Sequence, residues 1–179
     1  MKHIKVFSLL CALVLIFTSV GPVAAEDAPP PSADFQIIRT ETFEVVQNYS
    51  AQEYIALNPG SADAIAASTG CKGYTVGVKG KSQGGVHIWT YSWTIQWCYN
   101  GSKITSMNKY RNIWANYGWS FRGDIGESQS GGIGKATYSH NGQGDFCFFD
   151  VTVCVAHSYP WVNQTVRGNG TYSGSAGGN

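Results

Sequence analysis

Chemistry in this chain has to come from its carboxylates, its histidines, its cysteines or its aromatic side chains. Asp124 and Glu127, in the stretch Gly-Asp-Ile-Gly-Glu-Ser-Gln-Ser-Gly-Gly, are candidates for the paired acid and base or nucleophile of a glycosidase, with Asp145 and Asp150 further on. The glycine and serine around them read as a flexible surface loop, where acids serve solubility. His87, His140 and His157 are widely spaced and lack a His-Glu-x-x-His or paired Cys/His pattern, so neither a metal nor another cofactor is expected. Gly134-Lys135-Ala136 lacks the Ser or Thr that follows the lysine of a phosphate loop, and no Gly-x-Ser-x-Gly elbow occurs. The residue types therefore favour a non-enzymatic protein.

The aromatic residues carry a stronger pattern. Between residues 84 and 104 the odd positions are His87, Trp89, Tyr91, Trp93, Ile95, Trp97 and Tyr99, and the even ones include Thr90, Ser92, Thr94 and Gln96. Period two is the signature of a strand. Its aromatic face is expected in the core, because the polar face would pack poorly. Aromatics beside turns are the better candidates for an exposed platform. Tyr117, Trp119, Tyr159 and Trp161 are expected to stack on a ligand, with Lys109 and Arg111, or Lys103 and Arg122, supplying charge.

Charge is unevenly spread. Residues 26–63 hold seven acids and Arg39, whereas residues 64–123 hold no acid and seven cations, Lys72, Lys79, Lys81, Lys103, Lys109, Arg111 and Arg122. The acidic segment is expected to pack on the basic part, which otherwise could attract an anionic polymer. Past the first 25 residues, ten basic side chains face eleven acidic ones, so no strong overall field results and nucleic acid is disfavoured as a partner.

Lys2 and Lys5, the apolar run Val6–Phe17 and the small residues Val23-Ala24-Ala25 mark residues 1–25 as a signal peptide. The run is shorter than the about 20 residues that span a bilayer, so no membrane span is expected. Export gives Cys71, Cys98, Cys147 and Cys154 an oxidising environment and favours two disulfides. Cys71–Cys98, joining the arms of a hairpin, and the local Cys147–Cys154 are the preferred pairing.

The elements that must position these groups follow from turn chemistry. Residues 26–34, with Pro29-Pro30-Pro31, form a disordered linker, and residues 35–70 an acidic N-terminal segment with short helices. Within that segment one strand is expected before Tyr49, and Ser50-Ala-Gln-Glu53 reads as a capping box. Residues 71–179 read as a β-domain, with a type I′ turn at Asn100-Gly101, a loop at Gly123–Gly134, a turn at Asn141-Gly142-Gln143-Gly144 and another at Gly168-Asn169-Gly170. The fold class is mainly β, an antiparallel β-sandwich or barrel behind a short helical segment.

Trp97-Cys98-Tyr99-Asn100-Gly101-Ser102-Lys103-Ile104, with Tyr159-Pro160-Trp161, resembles a group of small secreted β-rich proteins of Gram-positive filamentous bacteria, which share a Trp-Cys-x-x-Gly-x-x-Ile and a Tyr-Pro-Trp segment. The resemblance spans roughly Cys71 to Ser173, implies an exported β-domain and transfers no catalytic residue. The expectation is an extracellular protein that binds a polysaccharide or cell-wall polymer through turn-borne aromatics. Its alternatives are an inhibitor or toxin-like protein acting through Gly80–Gly85 or Gly123–Gly134, and a glycosidase.

Overall fold

A computed structural model describes residues 39–150 and 153–178, the side chain of Asp150 excepted. The expected signal peptide (1–25), the linker (26–34), residues 35–38 and any use of the Asp150 carboxylate lie outside the described residues. In chain order the elements are β1 (Arg39–Tyr49), α1 (Ala51–Leu57), α2 (Ala62–Ala66), β2 (Gly70–Lys81), β3 (His87–Tyr99), β4 (Ile104–Ala115), β5 (Trp119–Gly131), β6 (Thr137–Asp150), β7 (Val153–Ser158), β8 (Trp161–Arg167) and β9 (Tyr172–Gly177). β1 to β4 form one antiparallel sheet in sequence order, and β5, β6, β8 and β9 form a second in that order. One flank of β6 pairs with β5, and the other pairs first with β8 and then with β7. The two sheets pack face to face as a β-sandwich.

β3 lies at the centre because it is apolar on the side that faces the second sheet. Trp89, Tyr91, Ile95 and Trp97 are fully buried and Trp93 nearly so, which is the packing the alternation predicts. Trp89 stacks on Phe146 with ring centroids 4.9 Å apart, and Trp97 Nε1 donates to the Arg167 carbonyl at 3.1 Å. The polar face of β3 is buried as well, at Ser92, Thr94 and Gln96. Its groups are satisfied locally: Thr94 and Thr75 hydroxyls lie 2.8 Å apart, and Asn58 Nδ2 donates to Gln96 Oε1 at 3.1 Å. α1, which opens on the expected Ser50/Glu53 capping box, lays the buried Tyr54 over this face. A buried polar face is tolerable because hydrogen bonding removes most of its desolvation cost.

Both expected disulfides, Cys71–Cys98 and Cys147–Cys154, are present. Four features differ from the sequence reading. β1 pairs with β2 along its whole length, from Arg39 opposite Lys81 to Tyr49 opposite Cys71, so the N-terminal segment supplies an edge strand of the first sheet, with an ion pair between Glu41 and Lys81. The connection after β3 is not a two-residue type I′ turn. It takes in residues 100–103, and Asn100 Oδ1 accepts from the N–H groups of Ser102 (3.2 Å) and Lys103 (2.9 Å), an Asx-type closure. The expected loop Gly123–Gly134 is mostly strand β5, and the expected turn at 141–144 lies in the middle of β6. The glycines there make room rather than a turn. A Cβ on Gly142 would lie 2.8 Å from Trp93 Nε1 and 3.0 Å from Tyr91 Oη, and one on Gly144 would lie 2.9 Å from the rings of Phe121 and Tyr91.

Candidate functional site: the outer groove of the second sheet

On β6 the even residues from Tyr138 to Phe148 point into the core, which turns Ser139, Asn141 and Gln143 outward. Register then assembles a face from four strands. Ser128 and Gly126 of β5 lie opposite Asn141 and Gln143, as do Asn163 and Trp161 of β8 on the other flank. Ser175 and Gly177 of β9 follow opposite Asn163 and Trp161. β5 carries two register shifts, at Phe121/Gly123 and Asp124/Gly126, and such bulges bend and twist a sheet. The outer face holds a depression of about 460 Å³ lined by Gly126, Glu127, Ser128, Asn141, Gly142, Gln143, Trp161 and Asn163. A second of about 220 Å³ shares Asn141 and Asn163 and continues to Thr165, Ser173 and Ser175. Together they make a groove running with the strands.

Trp161 closes one end of it and is 37% exposed. A Cβ on Gly177 would lie 2.8 to 3.1 Å from three atoms of the indole, so the ring rests on the bare backbone of β9. Asn141 Nδ2 donates to Ser128 Oγ at 3.0 Å, and the hydroxyls of Ser139 and Thr165 lie 3.0 Å apart. The side-chain amides of Gln143 and Asn163 engage no other described residue. Among the residues lining the two depressions Glu127 alone is charged, and its carboxylate is ion-paired with Lys109. Beyond Gln143 comes Asp145, bonded to His157 Nδ1 at 2.8 Å, and beyond Thr165 comes Arg167.

The residues expected at the site are only partly brought together. Trp161 lines the groove, and Tyr159 lies two residues before it, stacked on His157 with centroids 5.6 Å apart. Tyr117 is exposed, but on the sharp corner between β4 and β5, with φ +53°, outside the groove lining. Trp119 is a correction. It opens β5 with its ring turned inward, 4% exposed, 5.5 Å from Phe148, and is core rather than platform. Lys109 and Arg111 are another: they sit on the inner side of β4 and pair with Glu127 and Asp124 of β5. The groove residues Asn141, Gln143 and Asn163 were missed. Their signal was the period-two rows Ser139, Asn141, Gln143 and Trp161, Asn163, Thr165, which the glycines at 142 and 144 disguised as a turn.

The two loop carboxylates belong to the seam between the sheets. Tyr91 Oη donates to Asp124 Oδ1 at 2.9 Å and accepts from Trp93 Nε1 at 2.9 Å. Lys109 and Arg111 lie over the Trp93 ring, 5.1 and 5.8 Å from its centroid. His140 is wholly buried against Trp93, 4.4 Å between rings, with Nε2 3.4 Å from Glu127 Oε1. The hydrogen bond from Lys109 holds the Glu127 carboxyl below its ordinary range, while burial and the Lys109 charge push His140 down. Glu127 is thus anionic and His140 neutral at pH 7. A glycosidase acid needs the opposite, a carboxyl raised by its surroundings. No three His, Cys, Asp or Glu residues gather for a metal ion among the described residues.

Comparison with known protein families, with curated proteins and with solved structures returns no match. Function has to be read from the site's own geometry.

Proposed function

We propose that this is an exported glycan-binding β-sandwich, which takes uncharged sugar units of a polysaccharide or cell-envelope polymer in the groove on the outer face of its second sheet. The observation that carries the reading is the composition of that groove, in which amides and hydroxyls from four strands surround one exposed indole and the one carboxylate of the lining, Glu127, is neutralised by its ion pair with Lys109. A sugar offers hydroxyls that both donate and accept, and a ring face that is apolar. Asn and Gln side chains match the first and an indole matches the second. The two disulfides suit an oxidising compartment, and no helix among the described residues is long and apolar enough to cross a membrane. The ion pairs that close Asp124 and Glu127 favour a structural role for them over glycosidase chemistry.

Tryptophan fluorescence tests the reading directly. Trp89, Trp93, Trp97 and Trp119 are buried, leaving Trp114 and Trp161 exposed, so a ligand in the groove quenches through Trp161. Across a panel of soluble polysaccharides and peptidoglycan fragments, quenching is expected in the native protein and in Trp114→Phe, and is expected to disappear in Trp161→Phe. Trp161→Ala should weaken binding by about 30-fold, the about 2 kcal/mol of a central aromatic contact. Binding that survives both Trp161→Ala and Asn163→Ala, or no binding across the panel, refutes the groove.

A further inference from the structure

Most of the cations in the acid-free part of the chain are engaged. Lys81, Lys109 and Arg111 are ion-paired, Lys79 lies over Phe43 and Arg122 over Phe149, and Lys72 Nζ donates to the Gly170 carbonyl at 2.9 Å. Lys103 is the exception, and the fold sets it beside two later cations, Lys135 and Arg167.

Backbone contacts bring the three together. The N–H of Ile104 donates to the Lys135 carbonyl at 2.9 Å, and that of Gly168 to the Ala136 carbonyl at 2.8 Å. A Cβ on Gly168 would lie 2.4 Å from the Lys103 nitrogen, so only glycine lets these loops meet. Arg167 pairs with Thr137, two residues after Lys135. Residues 100–103, 132–136 and 168–171 contain no acid, and none of the three cations has an ion pair among the described residues. Lys103 and Lys135 are exposed. This end of the sandwich therefore holds three positive charges on interlocked loops without an ion pair among the described residues, with a fourth, Lys72, bonded to the carbonyl of Gly170 beside them.

It is also where the groove ends. On the outer side of β8 the row reads Trp161, Asn163, Thr165, Arg167, and Arg167 Nη2 donates to Ser173 Oγ, in the lining of the second depression, at 3.3 Å. From Trp161 to Arg167 the row is about 20 Å long, the reach of a short run of sugar units.

We infer that the ligand is an anionic polysaccharide whose carboxylate or phosphate groups are held by Lys103, Lys135 and Arg167 while its uncharged rings lie in the groove. The inference rests on the groove reading, since one polymer occupies both. A guanidinium suits carboxylate and phosphate oxygens, the two lysines add compact charge beside it, and a clustered field without acids favours encounter with a polyanion.

Affinity electrophoresis with matched polymers separates the two ideas. The full exported protein is run through gels containing partly or fully methyl-esterified polygalacturonate, carboxymethylcellulose or hydroxyethylcellulose, and glucosylated poly(glycerol phosphate). The same gels are run with Trp161→Ala and with the triple variant Lys103→Gln/Lys135→Gln/Arg167→Gln, whose folding is checked by thermal unfolding. Expected are tighter retention by a charged polymer than by its neutral counterpart, a loss of about tenfold in the triple variant, and disappearance of that difference in about 0.5 M salt. Equal retention by charged and neutral members with sensitivity to Trp161→Ala leaves the groove standing and overturns the anionic ligand. Charge preference that is lost in the triple variant but untouched by Trp161→Ala supports the basic end and overturns the groove. Stronger retention by single-stranded DNA than by every polysaccharide, or none by any charged polymer, overturns the inference.

Discussion

Gly142→Ala tests how β6 is built. The new methyl group would meet Trp93 Nε1 at 2.8 Å, Tyr91 Oη at 3.0 Å and His140 Cε1 at 3.2 Å, all closer than ordinary contact, and the rings are fixed by packing. Overpacking of this kind costs about 1–3 kcal/mol, and displacing Trp93 also stretches the hydrogen bond to Tyr91, about 1 kcal/mol. Replacing glycine within a strand returns about 0.5–1 kcal/mol. The net expectation is a loss of about 1–3 kcal/mol, or about 3–10 °C in Tm for a domain of this size. Gly126→Ala, across the strand pair but on the outer face, is the control: its Cβ would meet only Gln143 at 3.8 Å, so it should be neutral or slightly stabilising. Reversible urea unfolding with intact disulfides measures both. In the double variant Gly142→Ala/Trp93→Phe, removing the nearest atom should recover part of the loss, a coupling that a glycine in a solvent-exposed turn would not show. A neutral Gly142→Ala, or additive effects with Trp93→Phe, would refute the packing argument.

Two further predictions concern stability. Replacing Cys71 and Cys98 by Ser opens a loop of 27 residues and should cost about 3.5 kcal/mol, against about 2.5 kcal/mol for Cys147 and Cys154, separated by 7; equilibrium unfolding in the reverse order contradicts the chain-entropy account. Burial and Lys109 hold His140 below the ordinary value of 6.5, so the unfolded chain takes up this proton first. Its contribution is complete above about pH 6.5 and is lost as pH falls through that value. The slope of unfolding free energy between about pH 7 and 5 should be shallower in His140→Gln, and an unchanged slope would assign the acid loss to His87, which burial also pushes down.

The sequence by itself determined a mainly β fold and its central strand, and left sandwich or barrel and the three disulfide pairings open, with one pairing preferred. Alternation of small polar and large aromatic residues from His87 to Tyr99 is a local property of the chain, and it decides which side of β3 turns to the apolar core between the sheets. Cysteine number and spacing likewise limited the pairings before any contact was known. Glycine was the point at which local reading failed. Gly142 and Gly144 look like turn residues until the rings of Tyr91 and Trp93, some fifty residues earlier in the chain, are seen to occupy the space of the missing Cβ atoms. The same error hid the outward row at Asn141 and Gln143 and left Trp161 without neighbours. Trp119 and the pair Lys109 and Arg111 were misplaced for a related reason: whether a side chain near a turn points inward depends on the register of β4 and β5, which sequence position alone does not encode. Only the tertiary structure decided which charges are spent on one another, pairing Lys109 and Arg111 with Glu127 and Asp124 and leaving Lys103, Lys135 and Arg167 together without an ion pair among the described residues, because that outcome depends on strands far apart in the chain meeting at one seam and three loops meeting at one end.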